Sequence, residues 1–480
     1  MSFNNSNNFH PETQLICLNE NNKDQFGSSV APLYQTTTFK QTALTNNTSE
    51  YDYTRSGNPT RTLLQQQIAK LYGNIDARNV FAVGSGMTAL DVILRGLVIK
   101  PFVNKTRSDI STSYQKPVIL AGDDIYGGTQ RLLNFITPFC DVVHVDSTNL
   151  QEYKKTFLEN KEKVTCCILE SPTNPLLKVA NLPEIIKFIK QEKPECLTVV
   201  DNTMMSGLNC NPLEFQCDVV YESATKYLNG QHDIMAGVIV CSSLELAQQV
   251  YFVINSTGSG LSPFDSWLLI RGLKTLQIRL YRQQYNAMIL AKWLLSNCGF
   301  TKTRYVGLKN QHPQYHLHKS FNKGPGAVLS FETGSIEKSE QIVISKLLKI
   351  WGCTVSFGCV NSLISMPCKM SHASIDEKTR QEREFPEDLI RLSVGIENIE
   401  DLCKDLLNAF VDAGVIEIVN NGKQLYNKLT GKIGNNVNIN QFGKLPNIYE
   451  IFDTKENKLG EEEINGSFGL PDYVPTLAKL

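Results

Sequence analysis

Short apolar runs punctuate the first half of the chain: Val80-Phe-Ala-Val83, Val118-Ile-Leu-Ala121, Cys166-Cys-Ile-Leu169, Leu197-Thr-Val-Val200, Cys217 to Tyr221 and Val238 to Cys241. Runs that stay apolar without alternating describe strands covered on both faces. The segments 61–72, 89–99 and 181–192 carry polar and apolar residues at helical spacing. Strands alternating with such helices predict the α/β class, a mostly parallel sheet wrapped by helices. After Leu244 helical patterns dominate, over 244–254 and then from about Trp267 to Cys298, with Ser259-Gly-Leu-Ser-Pro263 between them. The long helix is expected to cross to a smaller α+β domain holding Val328–Glu332, Cys353–Pro367 and Leu389–Glu397.

This pattern divides the chain into an N-terminal arm (1–60), a large domain (61–298), a C-terminal domain (299–421) and a tail (422–480). Within the arm, residues 1 to about 12 are Asn-rich and expected to be disordered. The stretch Val30–Phe39 is extended, β-branched and without helical period, and is expected to dock on a neighbouring subunit. A polar insertion, 103–117, offers no readable chemistry. The tail is rich in Asn, Lys, Gly and Glu and is expected to be mobile. It ends in Ala478-Lys479-Leu480, close to the Ser-Lys-Leu address that the peroxisomal import receptor reads. The expected location is therefore cytoplasmic or peroxisomal.

The 480 residues can bury a large core, and 41% hydrophobic with 20% charged content describes an ordinary globular chain. A net charge of −1 leaves no electrostatic footprint for nucleic acid or an acidic membrane surface. No apolar run is long enough to span a bilayer, and the N-terminus lacks the features of a secretory signal. The 13 cysteines form no C-x-x-C pair and have no histidine cluster at zinc spacing, so no metal site is expected and free thiols are.

Several side chains stand where chemistry is done. Lys226 lies between two apolar runs, where an ammonium is costly to bury and its amine becomes a nucleophile, unless it snorkels to water. Ser223 and Thr225 flank it with hydroxyls. Asp201 ends an apolar run as either a helix cap or a partner for a buried cation. Gly84-Ser-Gly86-Met87 turns from a strand into a helix, where free N–H groups bind anions. Thr60 is placed to cap the helix from Arg61. Tyr126, beyond the run 118–121, suits a ligand or packing equally, and Tyr53 with Arg55 suits a phosphate or a surface pair. Arg391 alternates into an apolar run and needs an anionic partner, structural or bound.

The stretch from Asp218 to His232 resembles, at every specified position, the pyridoxal-phosphate attachment signature of the Cys/Met-metabolism (transsulfuration) family of fold-type I PLP-dependent enzymes. The resemblance runs from about residue 13 to 414. It implies that Lys226 attaches the cofactor and acts in catalysis, that Asp201 pairs with the pyridinium, and that Tyr126 stacks on the ring. It implies a phosphate cradle of Gly86, Met87, Ser223 and Thr225, and Asn174 near the cofactor O3′. It places Tyr53 and Arg55 in the neighbouring protomer's site, hence a homo-oligomer of at least two copies and commonly a tetramer. Arg391, helped by Ser362, would grip the substrate α-carboxylate, and His372 would be structural.

Within the family, Ser356–Pro367 and Met370–Ile375 are similar to the branch that cleaves on the β side, whereas γ-branch members usually carry a glutamate where Asn361 stands. The implied reaction is β-elimination of L-cystathionine to homocysteine, pyruvate and ammonia, a carbon–sulfur lyase step in methionine biosynthesis. A γ-lyase or γ-synthase, a broader cysteine S-conjugate lyase and a non-catalytic scaffold are the alternatives.

Overall fold

The computed structural model describes residues 9–16, 26–45, 49–99, 116–371, 373 and 385–437. The 1–8 terminus, most of the 103–117 insertion, His372, residues 438–480 and the Ala478-Lys-Leu end lie outside the described residues. The chain divides into two compact units: Met1–Thr173 with Lys178–Ile278, and Asn174–Leu177 with Arg279–Leu480.

The first unit holds a seven-stranded sheet of β1 (Val80–Val83), β2 (Val118–Gly122), β3 (Asp141–Val145), β4 (Val164–Glu170), β5 (Leu197–Asp201), β6 (Val219–Glu222) and β7 (Gly237–Cys241). Their order is β1-β7-β6-β5-β4-β2-β3, with β7 antiparallel to both neighbours and the other pairs parallel. β1, β2, β5, β6 and β7 are buried along their whole length, as their unbroken apolar runs require. On one face the core gathers Val83, Leu90, Ile119, Ile168, Val199, Val219 and Ile239. Helix 59–71 starts at Pro59 and is capped by Asn58, whose side chain accepts from Thr60 N–H. Thr60 is not the expected cap, because its hydroxyl binds the arm: it donates to Pro32 O and accepts from Tyr34 N–H, at 3.0 and 2.9 Å. Trp267 Nε1 adds a bond to Ala31 O at 2.9 Å, so this part of the arm is tied to its own chain.

The second unit holds a five-stranded sheet of β8 (Thr303–Arg304), β9 (Val328–Glu332), β10 (Gly352–Cys353), β11 (Leu363–Ser365) and β12 (Leu389–Ser393), ordered β10-β11-β12-β9-β8. The boundary at 278/279 falls near the start of helix Leu276–Ser296 and not at its end. The single long helix expected from Trp267 to Cys298 is two, Pro263–Leu273 and Leu276–Ser296, the first starting at Pro263 with Ser262 as its cap.

The expected mobile tail is corrected over 422–437, its described part. Strands β13 (Ile416–Val419), β14 (Gln424–Asn427) and β15 (Ile433–Asn435) form a third sheet. Leu425 and Asn427 are buried in it, and Asn427 Nδ2 donates to Cys298 O at 2.9 Å. The Asn and Gly residues that suggested disorder make its turns, with Asn427 Oδ1 accepting from Leu429 and Thr430 N–H.

The described cysteines are free thiols, all buried except Cys353. No described helix is long and apolar enough to cross a membrane.

Candidate active site

In the first unit the carboxyl ends of β4, β5 and β6 bring three polar side chains into line. Glu170 pairs in register with Asp201, and Asp201 with Tyr221. In-register residues of parallel neighbours point to the same side, so Asp201 stands between a carboxylate and a phenol. All three are buried. Loss of water raises the pKa of Asp201, while the Thr203 hydroxyl and N–H (the latter 3.0 Å from Oδ1), the Tyr221 hydroxyl and the charge of Lys226 pull the other way. Burial also raises Tyr221 well above its usual value, reinforced by Asp201 and Glu170. A carboxyl so placed gains from a cation beside it.

Lys226 lies in the turn between β6 and β7, its N–H bonded to Ser223 O at 3.0 Å and its carbonyl accepting from Gly230 N–H at 2.8 Å. The same ammonium, after burial, holds the pKa of His232 below its usual value. Lys226 is thus electrostatically coupled to Asp201.

The glycine turn behaves as a helix start. Ser85 caps helix Gly86–Ile93 by accepting from Thr88 N–H at 2.9 Å, leaving the Gly86 and Met87 N–H groups at the end of the first turn. A Cβ on Gly86 would lie 2.9 Å from Ser223 Cβ, so the glycine admits the Lys226 loop against the helix end. A Cβ on Gly237 would overlap Ser85 O, which fixes β7 against the same turn. The Thr225 hydroxyl, expected at a phosphate, is engaged with Ala236: it accepts from the N–H at 2.9 Å and donates to the carbonyl at 3.3 Å. Ser223 remains the hydroxyl next to the helix end.

Tyr126 opens helix Gly127–Phe135, its ring partly exposed. A Cβ on Gly128 would collide with the ring at Cε1 and with Met87 Sδ. Tyr126 therefore sits over Gly128 beside Met87. The Tyr126 N–H donates to Glu170 Oε2 at 3.0 Å.

Sequence reading passed over Glu170, although it ends an apolar strand as Asp201 does, and that signal was there to be used. It also missed Tyr221, whose place beside Asp201 depends on register. Tyr53 and Arg55 lie in the arm, the guanidinium 5.3 Å from the centroid of the Tyr53 ring.

The second unit holds the remaining expected residues. Arg391, buried on β12, donates to Asn174 Oδ1 at 3.0 Å and to Ser356 O at 2.8 Å. Asn174 is thereby tied to the guanidinium through the oxygen of its amide. Ser356 has φ +91°, a conformation that disfavours a side chain, and Arg391 holds its carbonyl there. The Ser362 hydroxyl, expected at a substrate carboxylate, donates to Glu397 Oε2 and accepts from Gly395 N–H, each at 2.9 Å, while its N–H donates to Glu397 Oε1 at 2.6 Å. Ser362 is fully buried and braces the turn that carries Asn361.

Pyridoxal phosphate needs an anion cradle, a partner for its ring nitrogen, a ring-facing surface and a lysine. The helix end at Gly86 that a side chain would block, the buried carboxyl of Asp201, Tyr126 and Lys226 fit it.

A family model described as Cys/Met metabolism PLP-dependent enzyme matches residues 12–411. The chain is 58% identical over 454 residues to the cystathionine beta-lyase of Saccharomyces cerevisiae, covering 92% of this chain and 95% of that one. It is 51% identical over 402 residues to the cystathionine beta-lyase of Neurospora crassa, covering 83% and 82%. Among solved structures, cystathionine gamma synthase from Xanthomonas oryzae pv. oryzae matches with a TM-score of 0.76 at 31% identity, covering 85% of this chain and 99% of that one.

Proposed function

The chain belongs to the Cys/Met-metabolism family of PLP-dependent enzymes, and from that membership we propose that it catalyses β-elimination of L-cystathionine to homocysteine, pyruvate and ammonia. The observation that carries the choice of bond is the 58% identity with a cystathionine beta-lyase across 95% of that relative. The scaffold does not make this choice, since a γ-synthase has a similar fold. Asn361, in place of the γ-branch glutamate, supports the β reading.

When bound, pyridoxal phosphate supplies an electron-accepting ring that stabilises negative charge at the substrate α-carbon. Lys226 moves the α-proton and returns a proton to the departing sulfur. Asp201 would keep a negative charge beside the ring nitrogen, and Tyr126 would cover the ring face. The Gly86 and Met87 N–H groups with Ser223 would hold the phosphate. Arg391 receives the substrate carboxylate, with Ser362 bracing the neighbouring turn and Asn174 orienting the guanidinium. Tyr53 and Arg55 act from a second copy, Tyr53 taking a proton from the incoming amine and Arg55 holding the phosphate, in a dimer or a tetramer of such pairs. The exposure of Tyr53 (40%), Leu33 (41%) and Tyr34 (43%) along the arm supports this.

Incubation with L-cystathionine tests the reading by the keto acid formed. Pyruvate with homocysteine is expected, and Lys226→Ala abolishes it. 2-Oxobutyrate with cysteine would place cleavage on the γ side, and comparable turnover of small cysteine S-conjugates would mean a broader lyase.

A further inference from the structure

We propose that Glu170 is a positioning residue for the cofactor ring, acting through Tyr126; this rests on the reading that Tyr126 is the ring's stacking partner. Helix Gly127–Phe135 begins at Tyr126 without a side-chain cap of its own. The first N–H groups of a helix need an acceptor from outside the helix. Glu170 supplies it from a different element, the end of β4, with Oε2 3.0 Å from Tyr126 N. Its own backbone is fixed by pairing with Asp201 on β5. The carboxyl ends of two paired interior strands thus set both the carboxyl meant for the ring nitrogen and the height of the ring-facing tyrosine.

The Tyr126 ring has little other restraint on its outer side, being 36% exposed. From within, Gly128 and Met87 set its limit, since a side chain at 128 would push the ring outward. Glu170 holds the main chain at the root of that ring. Its reach to the N–H, more than its charge, performs this role.

The substitutions Glu170→Gln, Glu170→Asp and Glu170→Ala separate reach from charge. Gln keeps an acceptor oxygen at the same distance, Asp keeps the charge but draws it back, and Ala removes both. The readouts are cofactor retention, by equilibrium dialysis of the holoenzyme against pyridoxal phosphate, and visible circular dichroism per bound cofactor, which reports how the ring is held. Loss of a hydrogen bond to a carboxylate corresponds to about a tenfold weakening. Asp and Ala are expected to show that weakening with altered dichroism, and Gln to stay within about threefold of the parent. Gly128→Ala should change the dichroism with Glu170 intact.

An Asp variant like the parent beside a weakened Gln variant would make charge the cause and overturn the proposal. Parent-like retention and dichroism in Asp and Ala would overturn it too. If Ala does not fold, the Gln and Asp pair decides alone. Tyr126→Ala is the control for the underlying reading: if it changes neither readout, the stacking assignment fails, whereas a large effect there beside parent-like Glu170 variants overturns only the role of Glu170.

Discussion

Glu222 ends β6 at the start of the turn that carries Lys226, and strand alternation turns it away from the face that Tyr221 shares with Asp201. It is fully buried, accepting from Gly207 N–H at 2.9 Å, from Asn202 Nδ2 at 3.4 Å and from the Tyr72 hydroxyl. Burial pushes its pKa from 4.5 up to about 8, with Asp201 adding to the shift and the Tyr72, Gly207 and Asn202 donors opposing it. The folded state thus binds more protons than the unfolded chain between these values. Stability from this group is full below about pH 4.5 and is lost as pH rises through about 8. The loss is on the order of a few kcal/mol. Thermal unfolding of the parent should therefore fall between pH 5 and 9 more steeply than that of Glu222→Gln, measured in the same buffers; parallel profiles would mean that Glu222 is ionised in the fold. Nothing in the sequence singled out this residue, because a glutamate at the end of a buried run reads as the point where the strand leaves the core.

At the scale of elements, the site depends on how closely a strand, a turn and a helix end approach one another. Gly237 begins β7 with no room for a side chain against Ser85 O, and Gly86 admits Ser223 on the other side of the same helix start. Gly237→Ala should push the helix end away from the sheet. Overpacking of this kind costs about 1–3 kcal/mol. The expected result is a lower unfolding temperature with weakened cofactor retention, read by dialysis; a lower unfolding temperature alone would detach Gly237 from the cradle. The strand–glycine–helix pattern was legible because each part has its own local signal. The extra sheet β13–β15 was not, because its strands are short and their Asn and Gly turns look like a tail until Asn427 is seen bonded to Cys298.

For the whole molecule, the arm poses the question of copies. If Tyr53 and Arg55 serve a neighbour's lysine, mixed oligomers of two inactive variants, Arg55→Ala and Lys226→Ala, should regain part of the activity, because one site per pair receives both intact residues. Mixtures no more active than their separate components, with exchange of subunits verified, would place Tyr53 and Arg55 outside the site. The sequence by itself determined the α/β class, the family and the cofactor, and it singled out Lys226 and Asp201 as candidates. Those rest on residue types at fixed spacing along one chain, with buried strands that announce themselves by unbroken apolar runs. Only the tertiary structure decided that Glu170 and Tyr221 flank Asp201, that the Thr225 and Ser362 hydroxyls are engaged by protein groups, and that Asn174 is bonded to Arg391. These are relations between residues distant in sequence, set by strand register and by which hydrogen bonds burial requires, and no local pattern carries them.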